Sequence, residues 1–339
     1  MLTRRHALAG ALSATLPGIA AAQASAQTTA SLNDRMTGDL SPVHDPCIIK
    51  QGATYHLFCT SQANQPPGLI HWRTSPDLVT WTLAGAVMPA LPDWAQKEVP
   101  GTRGAWAPDI SLINGRYHLY YALSTFGKNR SVIALQTTAT LDRSDPAFGW
   151  RDEGVVLASK SGDDFNAIDA NIVTGPDGRV WMSLGSFWTG LKLVEIDPAT
   201  GKPKAGAELT SIAARPHPDA IEAPYIVQRD GWFYLFASFD FCCRGADSSY
   251  YTVVGRSKAV AGPYVDRLGK PMLKGGGFIV LHADLDPAKR FKGPGHVAVL
   301  RDGARDYIVY HAYDAKKGGA PTLRIQRLAW TDDGWPVAV

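Results

Sequence analysis

Five times along the chain a short polar opening leads into an apolar run. A turn follows, usually with glycine, and then a second run dense in aromatic and aliphatic residues. The first copy is His44-Asp45-Pro46-Cys47-Ile48-Ile49, turning at Gly52 into Tyr55-His56-Leu57-Phe58. The second is Trp106-Ala107-Pro108-Asp109-Ile110, Gly115 and Tyr117-His118-Leu119-Tyr120-Tyr121. The third is Ile168-Asp169-Ala170-Asn171-Ile172-Val173, Gly178 and Val180-Trp181-Met182-Ser183-Leu184. The fourth is Ile221-Glu222-Ala223-Pro224-Tyr225-Ile226-Val227, Gly231 and Trp232-Phe233-Tyr234-Leu235-Phe236. The fifth is Gly293-Pro294-Gly295-His296-Val297-Ala298-Val299, Gly303 and Tyr307-Ile308-Val309-Tyr310. Each copy reads as two adjacent strands. Further strands fit at 70–75 and 251–257, and helix-period stretches are scarce.

The polar openings recur at Asp45, Asp109, Asp169, Glu222 and His296, at intervals of 64, 60, 53 and 74 residues. A four-stranded propeller blade takes roughly 40 to 50 residues plus loops. Five units of that size fill the chain. The pattern therefore predicts an all-β, five-bladed β-propeller, one domain over residues 40–339; a sandwich or β-helix would leave the repeated opening unexplained. Ring closure is expected between a terminal strand at 323–329 and the segment around Leu40.

Composition narrows the function. Apolar residues make up 45 % of the chain and charged ones 19 %, which excludes disorder and allows a large core. Gly and Pro number 33 and 23 and are spread evenly, as many turns require. Net charge is +3, and falls to +1 without residues 1–26, which carry Arg4 and Arg5 and no acid. Such a chain has no basic excess for a phosphate backbone, so nucleic acid is not an expected partner. Residues 1–26 read as an export signal: an Arg pair, a weak Ala-rich apolar stretch and small residues at 20–26. The arginine pair resembles a twin-arginine signal. A periplasmic or extracellular location follows, with 27–39 as a linker. No later segment reaches 18 uncharged apolar residues, so no membrane partner is expected, and a monomer is.

In a propeller the first strand of each blade lines the central channel, so the five openings meet at one mouth. Several carboxylates converging there repel one another and resist burial, which raises some of their pKa values. Paired carboxylates near the aromatics Trp106, Phe187, Trp188, Phe239 and Phe241 suit the hydrolysis of a glycosidic bond.

With His44-Asp45-Pro46, Trp106-Ala107-Pro108-Asp109, Asn166-Ala167-Ile168-Asp169 and Glu222-Ala223-Pro224-Tyr225 in place, the chain resembles glycoside hydrolase family 43. The motifs Gly185-Ser186-Phe187-Trp188, Cys242-Cys243-Arg244-Gly245, Gly255-Arg256-Ser257, Gly262-Pro263-Tyr264, Gly275-Gly276-Gly277 and Gly293-Pro294-Gly295-His296 resemble its arabinanases. The resemblance runs from about residue 40 to the C-terminus. It implies an inverting hydrolase of α-1,5-linked L-arabinofuranosyl chains, acting on arabinan or arabino-oligosaccharides. Asp45 would be the general base, Glu222 the general acid, and Asp169 would orient substrate and raise the pKa of Glu222. Inversion implies that the base and acid stand about 6.5–9.5 Å apart. Trp106, Gly127, Asn166, Ser186, Phe187 and Trp188 are the candidate substrate contacts. The resemblance also places a mostly water-held calcium ion beside His296. From residues alone His296 reads as a hydrogen-bonded histidine, since calcium prefers oxygen ligands. The alternatives are an exo-acting family 43 α-L-arabinofuranosidase or β-xylosidase, and a sugar-binding propeller that has lost catalysis. Loops at 62–68, 89–103 and 284–292 would decide endo against exo action.

Several readings stay open at this level. Asp109 follows its proline instead of preceding it and reads as structural. Trp106 is either a stacking platform or core, Gly127 either a sugar approach or a turn, and His44 either tunes Asp45 or packs. His311 reads as structural. Cys242 and Cys243 are a vicinal disulfide or two thiols. Cys47 and Cys59 would face one another if their hairpin turns at Ala53. The third opening departs from the family in having Ala170 where proline is usual, and the first in having Cys47 where a small polar residue is expected.

Overall fold

The computed structural model describes residues 31–62 and 64–339, so the expected signal at 1–26 lies outside the described residues. The expected propeller is present. Five antiparallel sheets follow one another along the chain, each opened by one of the repeated pairs: Cys47–Gln51 with Thr54–Cys59, Gly104–Ile113 with Arg116–Leu123, Asn171–Thr174 with Val180–Leu184, Ile221–Arg229 with Trp232–Phe239, and Phe291–Asp302 with Arg305–Asp314. Leu69–Ser75 and Tyr251–Ser257 are the third strands of blades one and four, as the pattern predicts. Among the described residues no helix is long and apolar enough to cross a membrane.

Each sheet is covered on both faces by its neighbours, and this explains the unbroken apolar runs. Among the described residues five apolar clusters fill the contacts between successive blades. In Trp232–Phe239 every residue after the first is buried.

Closure differs from a simple strand exchange. Blade five builds all four of its strands from its own end of the chain. The segment before blade one bridges the seam instead. Thr37 and Gly38 pair in parallel with Thr80 and Trp81 of blade one. Leu40 then accepts a bond from Leu323 N–H (2.8 Å), and Val43 N–H donates to Pro321 (3.0 Å). The Asn33 side chain accepts from Ile325 N–H at 2.7 Å. Residues 31–39, read from the sequence as part of a linker, are thus docked on both blades. Buried Arg73 locks the seam from inside, donating to the carbonyls of Asp39 (2.6 Å) and Pro42 (2.8 Å) and lying 3.2 Å from the Cys59 sulfur.

The hairpin register pairs Cys47 with Phe58 and Gln51 with Thr54, so Cys59 stands one residue beyond the partner of Cys47. Both cysteines are buried free thiols.

Arg73→Ala would leave two carbonyls at the seam without their donor. A loss of about 2–4 kcal/mol is expected, read as a lowered denaturation midpoint with an unchanged slope.

Candidate active site

At the mouth of the ring each inner strand has, within it or two residues before it, one residue with a left-handed backbone: Asp45 (φ 51°), Ala107 (45°), Asp169 (57°), Ala223 (54°) and His296 (50°). These are the positions that correspond between blades, spaced by 62, 62, 54 and 73 residues. Non-glycine residues rarely adopt this conformation, and where they do the surroundings must hold them. Here neighbouring blades take up the N–H groups of four of the five kinks. Asp45 N–H donates to His311 Nδ1 (3.1 Å), Ala107 N–H to Thr60 Oγ1 (2.8 Å), Ala223 N–H to Asp169 Oδ2 (3.1 Å) and His296 N–H to Ser238 Oγ (2.9 Å). All four acceptors belong to another blade. The kink turns Asp45, Asp169 and His296 into the mouth, and Glu222 enters from the position just before the kink of blade four.

The opening that was aligned on Asp109 therefore shifts by two residues. Asp109 lies deeper, where it accepts Ile172 N–H (3.0 Å) and Asn171 Nδ2 (3.2 Å) and staples blade two to blade three. Asn171 repeats the device, accepting Ile226 N–H at 2.8 Å. Burial pushes the Asp109 carboxyl up to about 6.

Asp45 is the most heavily contacted group in the mouth. Its Oδ1 lies 2.8 Å from His44 Nδ1, 3.1 Å from His296 Nδ1 and 3.7 Å from His311 Nδ1, and its Oδ2 accepts from Thr60 Oγ1 at 2.6 Å. Burial by itself would raise this carboxyl. The imidazoles of His44 and His296 outweigh that and hold it well below the ordinary range. Burial would likewise lower His296, but the Asp45 carboxylate, with Asp169 and Glu222 behind it, lifts it to about 9. His311, fully enclosed, is held well below its ordinary value by burial.

The other two carboxyls behave in the opposite way. Burial raises both Asp169 and Glu222, and the nearby Glu222 and Asp45 charges add to the rise in Asp169. The Ser186 hydroxyl donates to Glu222 Oε2 at 2.8 Å, which moderates the rise in Glu222. One mouth thus holds an ionised acid held by histidines and a pair of acids that resist ionisation.

The candidate substrate contacts separate into groups. Ser186, Phe187 and Trp188 form the loop after the second strand of blade three. Phe187 N–H is tied to Ile221 O (2.8 Å), and Phe187 and Trp188 both have left-handed backbones (φ 56° and 47°). The Phe187 ring tilts against Phe241 at 6.1 Å, so blades three and four share an aromatic wall beside Glu222. Trp106 is half-buried at the blade-two position equivalent to Glu222, with its indole N–H buried and unpartnered. Asn166 is almost wholly buried and its Oδ1 has no hydrogen-bond partner. Gly127 has φ 74° and open space where a side chain would be, as a turn glycine does; its neighbour Phe126, 80 % exposed on the same loop, is the side chain that sequence reasoning passed over. Cys242 and Cys243 are joined in a vicinal disulfide.

A calcium ion seeks six to eight oxygen ligands. At His296 the chain offers one imidazole, whose Nδ1 already faces Asp45. Among the described residues, the groups of three potential ligands near the mouth are His44 with Asp45 and His311, and His44 with Cys242 and Cys243; neither includes His296. A calcium ion beside His296 would therefore draw most of its ligands from water.

The geometry has counterparts among known proteins. Residues 41–336 match glycosyl hydrolases family 43. The chain belongs to this family. It is 39 % identical to an extracellular endo-α-(1→5)-L-arabinanase of Bacillus subtilis over 98 % of this chain and 96 % of the relative. It is also 39 % identical to an extracellular exo-α-(1→5)-L-arabinofuranosidase of Cellvibrio japonicus, over 87 % of this chain and 85 % of that protein. Among solved structures it is similar to a family 43 endo-arabinanase of Bacillus licheniformis, at 43 % identity and a TM-score of 0.81, covering 89 % of this chain and 99 % of that one. It is similar too to a Cellvibrio cellulosa α-L-arabinanase in complex with arabinohexaose, at 38 % identity and a TM-score of 0.82 over 88 % and 96 % of the two chains.

His296 is expected to remain a cation through neutral pH and to titrate near 9 instead of the ordinary 6.5. Because this shift is upward, its contribution to stability is full below 6.5 and lost as pH rises through 9. In Asp45→Asn the transition should fall by more than one unit. An imidazole NMR titration of the two proteins reads both values.

Proposed function

We propose that this protein is an exported arabinanase that hydrolyses α-1,5-linked L-arabinofuranosyl bonds with inversion. The observation that carries the reading is the division of protonation in the mouth: Asp45 is held ionised by two histidines, while burial keeps a proton on the Asp169–Glu222 pair.

In this reading Asp45 accepts a proton from the water that attacks the anomeric carbon, and Glu222 delivers its proton to the departing sugar oxygen. Asp169 orients the sugar, while burial raises the Glu222 carboxyl and so favours the proton that it delivers. At the end of one turnover Asp45 is protonated, Glu222 is ionised, and solvent restores both. His296⁺ balances the negative charge of the mouth without acting as an acid, because its proton is held by Asp45. The wall of Phe187, Trp188 and Phe241 offers apolar faces to the furanose rings.

The near full-length match to the Bacillus subtilis endo-arabinanase supports internal cleavage. The Cellvibrio japonicus match supports the exo alternative. The extracellular relatives and the Arg4-Arg5 leader support export by the twin-arginine route.

Glu222→Gln should lower kcat on linear 1,5-α-arabinan by about 10²–10⁴-fold, with oligosaccharide binding retained in calorimetry. Wild-type activity in that variant would reject the acid assignment. A digestion time course following viscosity and product size is expected to show an early viscosity drop with mixed oligosaccharides. Slow thinning with one short product would establish exo action.

A further inference from the structure

His44 faces Asp45 with Nδ1 and faces blades four and five with Nε2. On that outer side the Tyr313 hydroxyl lies 2.7 Å from Nε2, and the backbone N–H of Cys243 donates to the Tyr313 oxygen at 2.8 Å. An amide N–H can only donate. The Tyr313 hydrogen is therefore turned away from Cys243, and when it is directed at His44 it is accepted by Nε2 of the neutral ring. The ring proton then sits on Nδ1, where it is donated to Asp45 Oδ1 at 2.8 Å. In the cationic ring both nitrogens carry protons, and Nδ1 still donates to Asp45. With the Tyr313 hydrogen on Nε2, no bare Nδ1 lone pair faces the carboxylate.

The ring is also held in orientation. His311 stacks on His44 with centroids 3.9 Å apart and planes 24° from parallel. Cys243 closes the outer side, with its sulfur 3.8 Å from His44 Nε2. Cys243 has a left-handed backbone (φ 67°) and is covalently tied to Cys242, so the amide that starts the chain of bonds is fixed in direction.

We infer that Tyr313 and the Cys243 amide are positioning groups for the base: they fix the His44 proton on Nδ1, so that a loop of blade four sets the readiness of a carboxylate in blade one. The inference rests on the reading of Asp45 as the base. The groups facing Asp45 are His44 from its own opening, Thr60 and Cys59 from the same blade, His296 and His311 from the first two strands of blade five, and the acids Asp169 and Glu222 with Tyr250 across the mouth. His311 is kept neutral by burial, and its Nδ1 is occupied by Asp45 N–H. His296 is already charged through its own contact. Among the three imidazoles, His44 is the one whose proton placement depends on a partner outside the mouth.

The test is a set of four single variants and one double, with full pH profiles on arabino-oligosaccharides and thermal melting of each. Tyr313→Phe removes the hydroxyl and frees the other ring tautomer. Its kcat should fall about tenfold with KM unchanged, and the acid limb of kcat/KM should move up by about one pH unit, the size of one charge-assisted hydrogen bond. His44→Ala should show the same upward movement. His44→Asn keeps a donor where Nδ1 stands and should recover most of the parent profile. The double variant His44→Ala/Tyr313→Phe should be no worse than His44→Ala, because the effect of Tyr313 passes through the ring. A Tyr313→Phe profile that superimposes on the parent, or losses that multiply in the double variant, would overturn the inference. Asp45→Asn separates the two levels: if it is inactive while Tyr313→Phe leaves the profile unmoved, only the positioning role fails. If Asp45→Asn retains full activity, the base reading itself fails.

Discussion

The contact between Asp45 and His296 is the constraint on which the rest of the mouth depends. It joins the first blade to the last at the seam where the ring closes. Without the imidazole, burial would push Asp45 toward the protonated form and leave three neutral acids in one cavity. With it, one acid is held toward the ionised form while burial pushes the other two toward the neutral one. A single fold can place both states side by side because the low-polarity interior amplifies each neighbour: a cation in contact outweighs burial at Asp45, and burial dominates at Asp169 and Glu222.

The backbone supports this arrangement in a repeated way. Five kinks of the same hand stand at corresponding points of five inner strands. Each costs conformational energy, and the N–H groups of four of them are tied to named acceptors nearby, so the cost is spread over the ring. The same device gives different outcomes according to the side chain it presents. Ala107 and Ala223 place nothing polar in the mouth, which leaves room beside Trp106 and lets Glu222 enter one residue earlier.

The fold was legible because its signal is repeated: polar openings with proline, and runs too apolar to have an exposed face. Asp45, Glu222 and Asp169 stood out for the same reason. What was not legible depends on geometry that spacing does not encode. Counting from Asp109 set the second opening two residues too late, since the kink falls on Ala107, a residue with no chemistry to mark it. Cys47 and Cys59 missed each other by one place because the turn sits between Gln51 and Thr54. His311 and Tyr313 lie on a second strand, whose residues read as core; only the stacking of His311 on His44 and the bond from Tyr313 reveal that they bear on the base. Phe126 was overlooked because an aromatic on a loop carries no period.

The bridge across the seam bears on the order of events in the life of the chain. Asp45 is among the first residues of the propeller to be synthesised, and His296 and His311, which lie against it, are among the last. A nascent chain with four blades carries Asp45, Asp169 and Glu222 but not the imidazoles of blade five. The bonds from the 31–43 segment to blade five also wait for that blade, and such long-range closure is slow relative to local pairing.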